Sequence, residues 1–281
     1  MHSLYGLKKQ NFQFELKGGT SLSKGYKIIN RFSEDIDIHI KPSEKFGIDE
    51  SLKNCKENNV AKRKEFYDSL TKEIKIPGIT DVARDTEFDE PKCYRSGGIR
   101  LHYKTVANKV EALKEGILLE AGFDDVTPNS PITISSWAYD KAVESKVEVI
   151  DNRAKDIICY HPGYTLVEKL QTIATKFRQE QTKGAEGGNF MRQYYDVYCL
   201  LGNNDVLKFI GTQEYLKHKE KRFPKADLEI PIPKNEAFLL SSKEIRDAYA
   251  KRYKKTAALY YQGQPPFDEL MASIQEHIGK L

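Results

Sequence analysis

Phe12, Phe14 and Leu16 alternate with polar neighbours, the period of two that marks a half-buried strand. Gly18-Gly19-Thr20 ends that strand, and Thr20 to Ile29 reads as a short helix. Alternation returns at Ile36, Ile38 and Ile40, interleaved with Asp35, Asp37 and His39, so the second strand has one apolar and one acidic face. Residues of about 50–75 are rich in Lys and Glu around Leu52, Phe66, Leu70 and Ile74 and predict a helix. After a stretch rich in Pro, Gly and Asp, Gly98 to Val106 reads as a third strand, Ala107 to Lys114 as a polar turn and Gly116 to Ala121 as a fourth strand.

The period changes after Pro162. Thr165 followed by Glu168 has the spacing of a capping box, and Leu166, Val167, Leu170, Ile173, Ala174 and Phe177 then recur at helical spacing. Lys169 and Lys176 border that stripe, and Gly184, Gly187 and Gly188 break it. A second helix is expected from about Phe190 to Leu201, with Tyr194, Val197, Tyr198 and Leu201 inward and Arg192 and Asp196 paired near the opposite face. Pro224, Pro231 and Pro233 mark a linker, Lys243–Gln262 a further helix, and Pro265-Pro266 a stop before a last helix from Phe267. The pattern predicts a sheet domain over residues 1–160 and a helical domain over 161–281.

Composition narrows the class without naming it. Among 281 residues, 39% are hydrophobic and 31% charged, which supplies a core and excludes wholesale disorder. Lys and Arg number 45 against 41 Asp and Glu, an excess too small to make a strong field. No apolar run approaches the ~20 residues that span a bilayer, and no apolar segment follows Lys8 and Lys9, so a cytoplasmic protein is expected. Cys55, Cys93, Cys159 and Cys199 lie far apart with no C-x-x-C pair, which predicts reduced thiols; the histidines are scattered and suggest no metal site.

Two segments carry chemistry. Gly18-Gly19-Thr20-Ser21, between a strand and a helix, lets backbone N–H groups approach an anion, with Thr20 or Ser21 to add a hydroxyl; it is equally an ordinary strand-to-helix turn. Asp35 and Asp37, two apart on one strand, point to the same side with Cα atoms about 6.6 Å apart. Such a pair can converge on Mg²⁺, and the apolar Ile36, Ile38 and Ile40 argue against a merely solvated acidic edge. An anion cradle followed closely by a cation site suits a nucleoside triphosphate and its metal.

Leu16-Lys17-Gly18-Gly19-Thr20-Ser21-Leu22 together with Arg31-Phe32-Ser33-Glu34-Asp35-Ile36-Asp37 resembles the AbiEii/AbiGii toxin family of DNA polymerase β-like nucleotidyltransferases. Glu168-Lys169-Leu170 and Arg192-Gln193-Tyr194-Tyr195-Asp196 resemble that family's later motifs, in order, so the likeness spans Phe12 to Leu201. Relatives carry a helix before the first strand, for which only about ten residues are available here.

The resemblance implies an α+β fold, a polymerase β-like mixed sheet with a C-terminal helical domain completing an active-site cleft. It implies Asp35 and Asp37 as ligands of Mg²⁺ or Mn²⁺, with Glu120 as third carboxylate and Glu148 as its competitor. Gly18, Gly19, Thr20, Ser21 and Ser33 would meet the nucleotide, Ser33 being alternatively a modification site. Lys169 would reach the triphosphate or else snorkel at the helix border; Asp196 would orient the nucleotide or take a proton from the acceptor, or else form a surface pair with Arg192. The implied activity is that of a toxin in a toxin–antitoxin pair, moving a nucleoside monophosphate from an NTP to an acceptor and expelling pyrophosphate. Because some relatives modify tRNA ends, a tRNA 3′ end is the first acceptor. A protein hydroxyl, a small molecule such as an antibiotic, and a non-catalytic binding role are the alternatives. The basic stretches Lys217–Arg222 and Lys251–Lys255, the second interleaved with Tyr253, would suit RNA or simply be solvated helix faces.

Overall fold

In a computed structural model, which describes residues 1–33, 35–105, 115–184 and 190–281, the alternating segments join one mixed sheet. Its strands are β1 (Phe14–Lys17), β2 (Asp35–Ile40), β3 (Ile79–Asp85), β4 (Ser96–Tyr103), β5 (Ile117–Gly122), β6 (Asn129–Ile134) and β7 (Ala154–Tyr160), in the spatial order β3-β4-β5-β2-β1-β7-β6. The central strand β2 is antiparallel to β1 and parallel to β5. Alternation buries Ile36, Ile38 and Ile40 on one face of β2 and leaves Asp35 and Asp37 half-buried on the other. The buried face packs with Leu16 and Leu119 against Leu4 and Leu7 of helix α1 (His2–Lys9) and Phe66, Tyr67 and Leu70 of a long helix at Glu57–Glu73.

The chain divides into two compact units, Met1–Lys27 with Ser33–His161, and Ile28–Phe32 with Pro162–Leu281. The first unit holds the sheet, α1, a single turn α2 (Gly18–Thr20), α3 (Glu57–Glu73) and α4 (Trp137–Glu144). The second is helical: α5 (Pro162–Lys183), α6 (Arg192–Leu201), α7 (Asn204–Phe209), α8 (Gln213–Arg222), α9 (Lys225–Leu228), α10 (Glu236–Leu239), α11 (Lys243–Lys254) and α12 (Phe267–His277). Among the described residues no helix is long and apolar enough to cross a membrane.

Several expectations change. The first ten residues do suffice for a helix, since the eight of α1 make two turns and bury Leu4 and Leu7. The strands β3, β6 and β7 escaped the sequence pattern: β3 and β6 are the sheet's edges, with weak alternation, and Asp156 interrupts β7 with φ 53°. Helix α5 starts at Pro162, whose missing N–H and fixed φ suit a first turn, so Thr165 and Glu168 lie inside the helix and do not cap it. The stripe from Leu166 to Phe177 is buried as expected, and α6 buries Tyr194, Val197 and Leu201 but leaves Tyr198 half-exposed. The expected turn at Ala107–Lys114, with Val106, and the break at Gly187-Gly188 lie outside the described residues.

The reduced-thiol expectation fails for one pair. Cys55 and Cys93 form a disulfide with Cα atoms 4.8 Å apart. Their segments meet because the buried Arg63 of α3 donates hydrogen bonds to the carbonyls of Asp49, Ser51 and Cys93, a convergence that sequence spacing does not encode. Cys159 and Cys199 are free thiols that burial pushes up to about 11.

Candidate active site

The antiparallel ladder of β1 and β2 sets Lys17 opposite Asp37, so the residue after Lys17 turns directly over that carboxylate. That residue is Gly18, with φ +67°, and a Cβ on it would lie 2.0 Å from Asp37 Oδ2. Both the left-handed backbone and the space require glycine here. The turn continues through α2 into a π-helical turn at Ser21–Gly25. Of the hydroxyls expected to face a nucleotide, Thr20 Oγ1 donates to the Asp35 carbonyl at 2.7 Å and Ser33 Oγ to the same carbonyl at 3.2 Å. Ser21 is fully buried, beside Cys159. Thr20 and Ser33 thus fasten the start of β2.

The parallel ladder of β2 and β5 pairs Asp37 with Glu120, while Asp35 pairs with Leu118. Burial, then the charge of Asp37 with a hydrogen bond to it, then the charge of Asp35, push the Glu120 carboxyl up to about 8. Lys17 works in the opposite direction, and its Nζ also pairs with Asp124 Oδ2 at 3.0 Å, just beyond β5. Three carboxyl groups crowded until one retains its proton near neutrality form an oxygen donor set short of positive charge, which fits a hard divalent cation. Among the described residues no three His, Cys, Asp or Glu side chains are arranged to hold a metal ion by themselves. Glu148 is exposed and outside every strand, so Glu120 is the glutamate that the structure brings to Asp37.

In the second unit Asp196 is 0% exposed. Its Oδ1 accepts from Arg31 Nε and its Oδ2 from Arg31 Nη2, both at 2.7 Å, and Lys169 Nζ stands 3.2 Å from Oδ2. Burial alone would raise this carboxyl, yet Arg31 and Lys169 hold it below the ordinary range. The surface pair with Arg192 is therefore replaced by an interior cluster, and Lys169, 13% exposed, turns its ammonium inward rather than to water. Arg31 was legible only as the first letter of a motif; its partner is 165 positions away, beyond any local spacing rule. The pairing of Lys17 with Asp124 likewise has no local signal in the sequence.

The basic stretches change meaning too. Arg252 makes a two-point ion pair with Glu180, at 2.9 Å on each oxygen, and Tyr253 is buried, so Lys251–Lys255 presents only its lysines to solvent. In Lys217–Arg222, His218 is buried and Arg222 Nη2 lies 3.4 Å from Glu168 Oε1.

A carboxylate strand in want of a cation, beside a turn that admits nothing larger than glycine, is what a metal-bound polyphosphate needs on an α+β frame; the class so defined is the nucleotidyltransferases. The family comparison is decisive. The model of the nucleotidyl transferase AbiEii toxin family, of type IV toxin–antitoxin systems, matches residues 4–273, and the chain belongs to that family. The resemblance seen in the motifs is thereby borne out, as is the α+β architecture. A solved structure, that of an antigenic nucleotidyltransferase-like protein from Paracoccidioides brasiliensis, is similar over 92% of this chain and 93% of its own, with 13% identity and a TM-score of 0.36, a likeness too slight to bear weight. None of the curated proteins matches the chain.

Proposed function

We propose that this toxin-family nucleotidyltransferase moves a nucleoside monophosphate from an NTP to the 3′ end of a tRNA, with Mg²⁺ or Mn²⁺ as cofactor and a cognate antitoxin as partner. The observation that carries the reading is the pairing of Asp37 with Glu120 beneath the close approach of Gly18. In this reaction an acceptor hydroxyl oxygen attacks the α-phosphorus and gives up its proton to solvent, the bond from the α-phosphorus to the oxygen bridging the β-phosphate breaks, and pyrophosphate leaves. Asp35, Asp37 and Glu120 would hold a metal, which would supply charge stabilisation for phosphoryl chemistry. Gly18 and Gly19 let the backbone approach a phosphate, and Thr20 and Ser33 fix the strand end from which Asp35 projects. Lys169 serves the triphosphate as a compact cation. Asp196, with both oxygens engaged by cations, takes no proton.

The RNA acceptor is supported by the family resemblance; the burial of Arg252 and Tyr253 removes the compositional argument for it. Incubating the protein with each labelled NTP and total RNA, with Mg²⁺ or with a chelator, tests the whole reading. Label in a tRNA-sized band, lost with the chelator, is the expected result. Label in protein would move the acceptor to a protein hydroxyl, and no label in any mixture would overturn the reading.

A further inference from the structure

The cluster of Arg31, Lys169 and Asp196 has an unusual charge balance. A lysine and an aspartate buried together make a neutral pair, and a lysine so paired has little attraction left for an anion. Here Arg31 takes both oxygens of Asp196 at 2.7 Å, the closer and better-directed contact, while Lys169 stands at 3.2 Å from one of them. The burial of Arg31 and Asp196 keeps water from screening the exchange. Tyr195 and Tyr260 flank the guanidinium as hydroxyl-bearing rings without charge, because burial raises both phenols. Two cations and one anion leave the cluster with a net single positive charge.

The position of Arg31 is itself over-determined. It lies in Ile28–Phe32, the one part of the N-terminal chain that belongs to the helical unit. There the Asn30 N–H donates to the Tyr195 hydroxyl, Arg31 forms a bridge with Tyr260, and the Phe32 N–H donates to the Leu259 carbonyl. Arg31 Nη1 also donates to the carbonyl of Phe32 at 2.8 Å, which fixes the guanidinium plane.

We propose that Arg31 is a positioning residue for nucleotidyl transfer: by occupying Asp196 from both sides it prevents the aspartate from neutralising Lys169, and so keeps the lysine available to the polyphosphate of the incoming nucleotide. This rests on the reading of Lys169 as a triphosphate-binding residue. A purely structural ion pair is also relieved when both partners are lost, but the relief is in stability, and the affinity of Lys169 for a polyphosphate is left unmoved. The charge account predicts that this affinity falls in the single variant and returns in the double. R31Q leaves a neutral Lys169–Asp196 pair, whereas R31Q/D196N restores the net single charge on Lys169 alone.

The test is calorimetric titration of metal-free protein with inorganic tripolyphosphate, comparing wild type, K169A, R31Q and R31Q/D196N. R31Q should weaken binding ~10-fold or more, and the double variant should return to within ~3-fold of wild type. In steady-state transfer, R31Q should raise KM for the NTP more than it lowers kcat. A double variant as weak as R31Q overturns the proposal. If K169A binds like wild type, the reading of Lys169 falls; if K169A is weak and R31Q is normal, only the role of Arg31 falls. Should R31Q fail to fold, D196N decides by keeping both cations. Its binding at least as tight as wild type supports the charge account, and weaker binding overturns it.

Discussion

A methyl group on the Cα of Gly18 would stand 2.0 Å from Oδ2 of Asp37, less than any non-bonded contact permits. The turn at Gly18 and the strand β2 are therefore built against each other, and neither can shift alone. Gly18→Ala must both leave the φ of +67° and push Asp37 aside. The left-handed backbone alone costs an L-residue about 1–2 kcal/mol. The variant should fold with a lowered Tm and lose transfer by more than ~100-fold, because Asp37 is displaced from where it is needed. Near wild-type transfer would show that the approach of Gly18 to Asp37 has no part in catalysis.

Crowded carboxylates make a second prediction with a sign. Asp37 and Asp35 raise the Glu120 carboxyl, so the metal-free site holds like charges together at a cost to the fold. Replacing Asp37 by Asn removes one charge at constant shape, and Glu120→Gln puts a neutral amide where the carboxyl is held protonated near neutrality. Each variant should unfold at the same or a higher temperature than the wild type without metal. On the proposed reading Mg²⁺ should raise the Tm of the wild type and not that of either variant, and Asp37→Asn should lose transfer by more than ~100-fold. A variant that keeps both the Mg²⁺-dependent rise and the activity would remove its residue from the metal site.

The parts of this design that sequence revealed are those with a local period or spacing. Ile36, Ile38 and Ile40 against Asp35 and Asp37 give the face and the chemistry of β2 because side chains alternate along a strand. The stripe of α5 shows its buried side for the same reason. What stayed hidden depends on contacts between distant positions. Arg31 and Asp196, Cys55 and Cys93, and Arg252 and Glu180 are each ordinary residues at ordinary spacings until the fold brings them together. Arg252 shows the hazard: within Lys251–Lys255 it reads as one more solvated cation, yet its guanidinium is the buried partner of a glutamate on α5.

That burial makes the third prediction. Removing one member of a buried ion pair leaves the other uncompensated, which typically costs 3–5 kcal/mol, or about that much here. Arg252→Ala strands Glu180, which accepts from Arg252 on both oxygens and from the Tyr249 hydroxyl at 2.8 Å. Urea denaturation should show the loss, while Lys254→Ala on the exposed side of the same helix should be nearly neutral. Equal stability of the two variants would contradict the packing described for α11.

The last prediction separates two fasteners that hold the same pair of segments. The Cys55–Cys93 bond closes a loop with a sequence separation of 38, for which chain entropy alone suggests ~4 kcal/mol. Arg63 spans the same gap, donating to Cys93 at 2.9 Å and to Asp49 and Ser51 at 2.8 Å each, with its guanidinium 5.1 Å from the centre of the Phe123 ring. With Arg63 in place the segments stay together after the bond is reduced, so reductant should lower the stability of the wild type by clearly less than ~4 kcal/mol. In Arg63→Ala the disulfide is the main remaining link, and reduction should then cost more than in the wild type. The two losses should be non-additive, as expected for groups that share one task. Urea titrations of both proteins, with and without reductant, read the coupling directly. An identical effect of reductant in the two would mean that Arg63 and the disulfide stabilise the first unit independently.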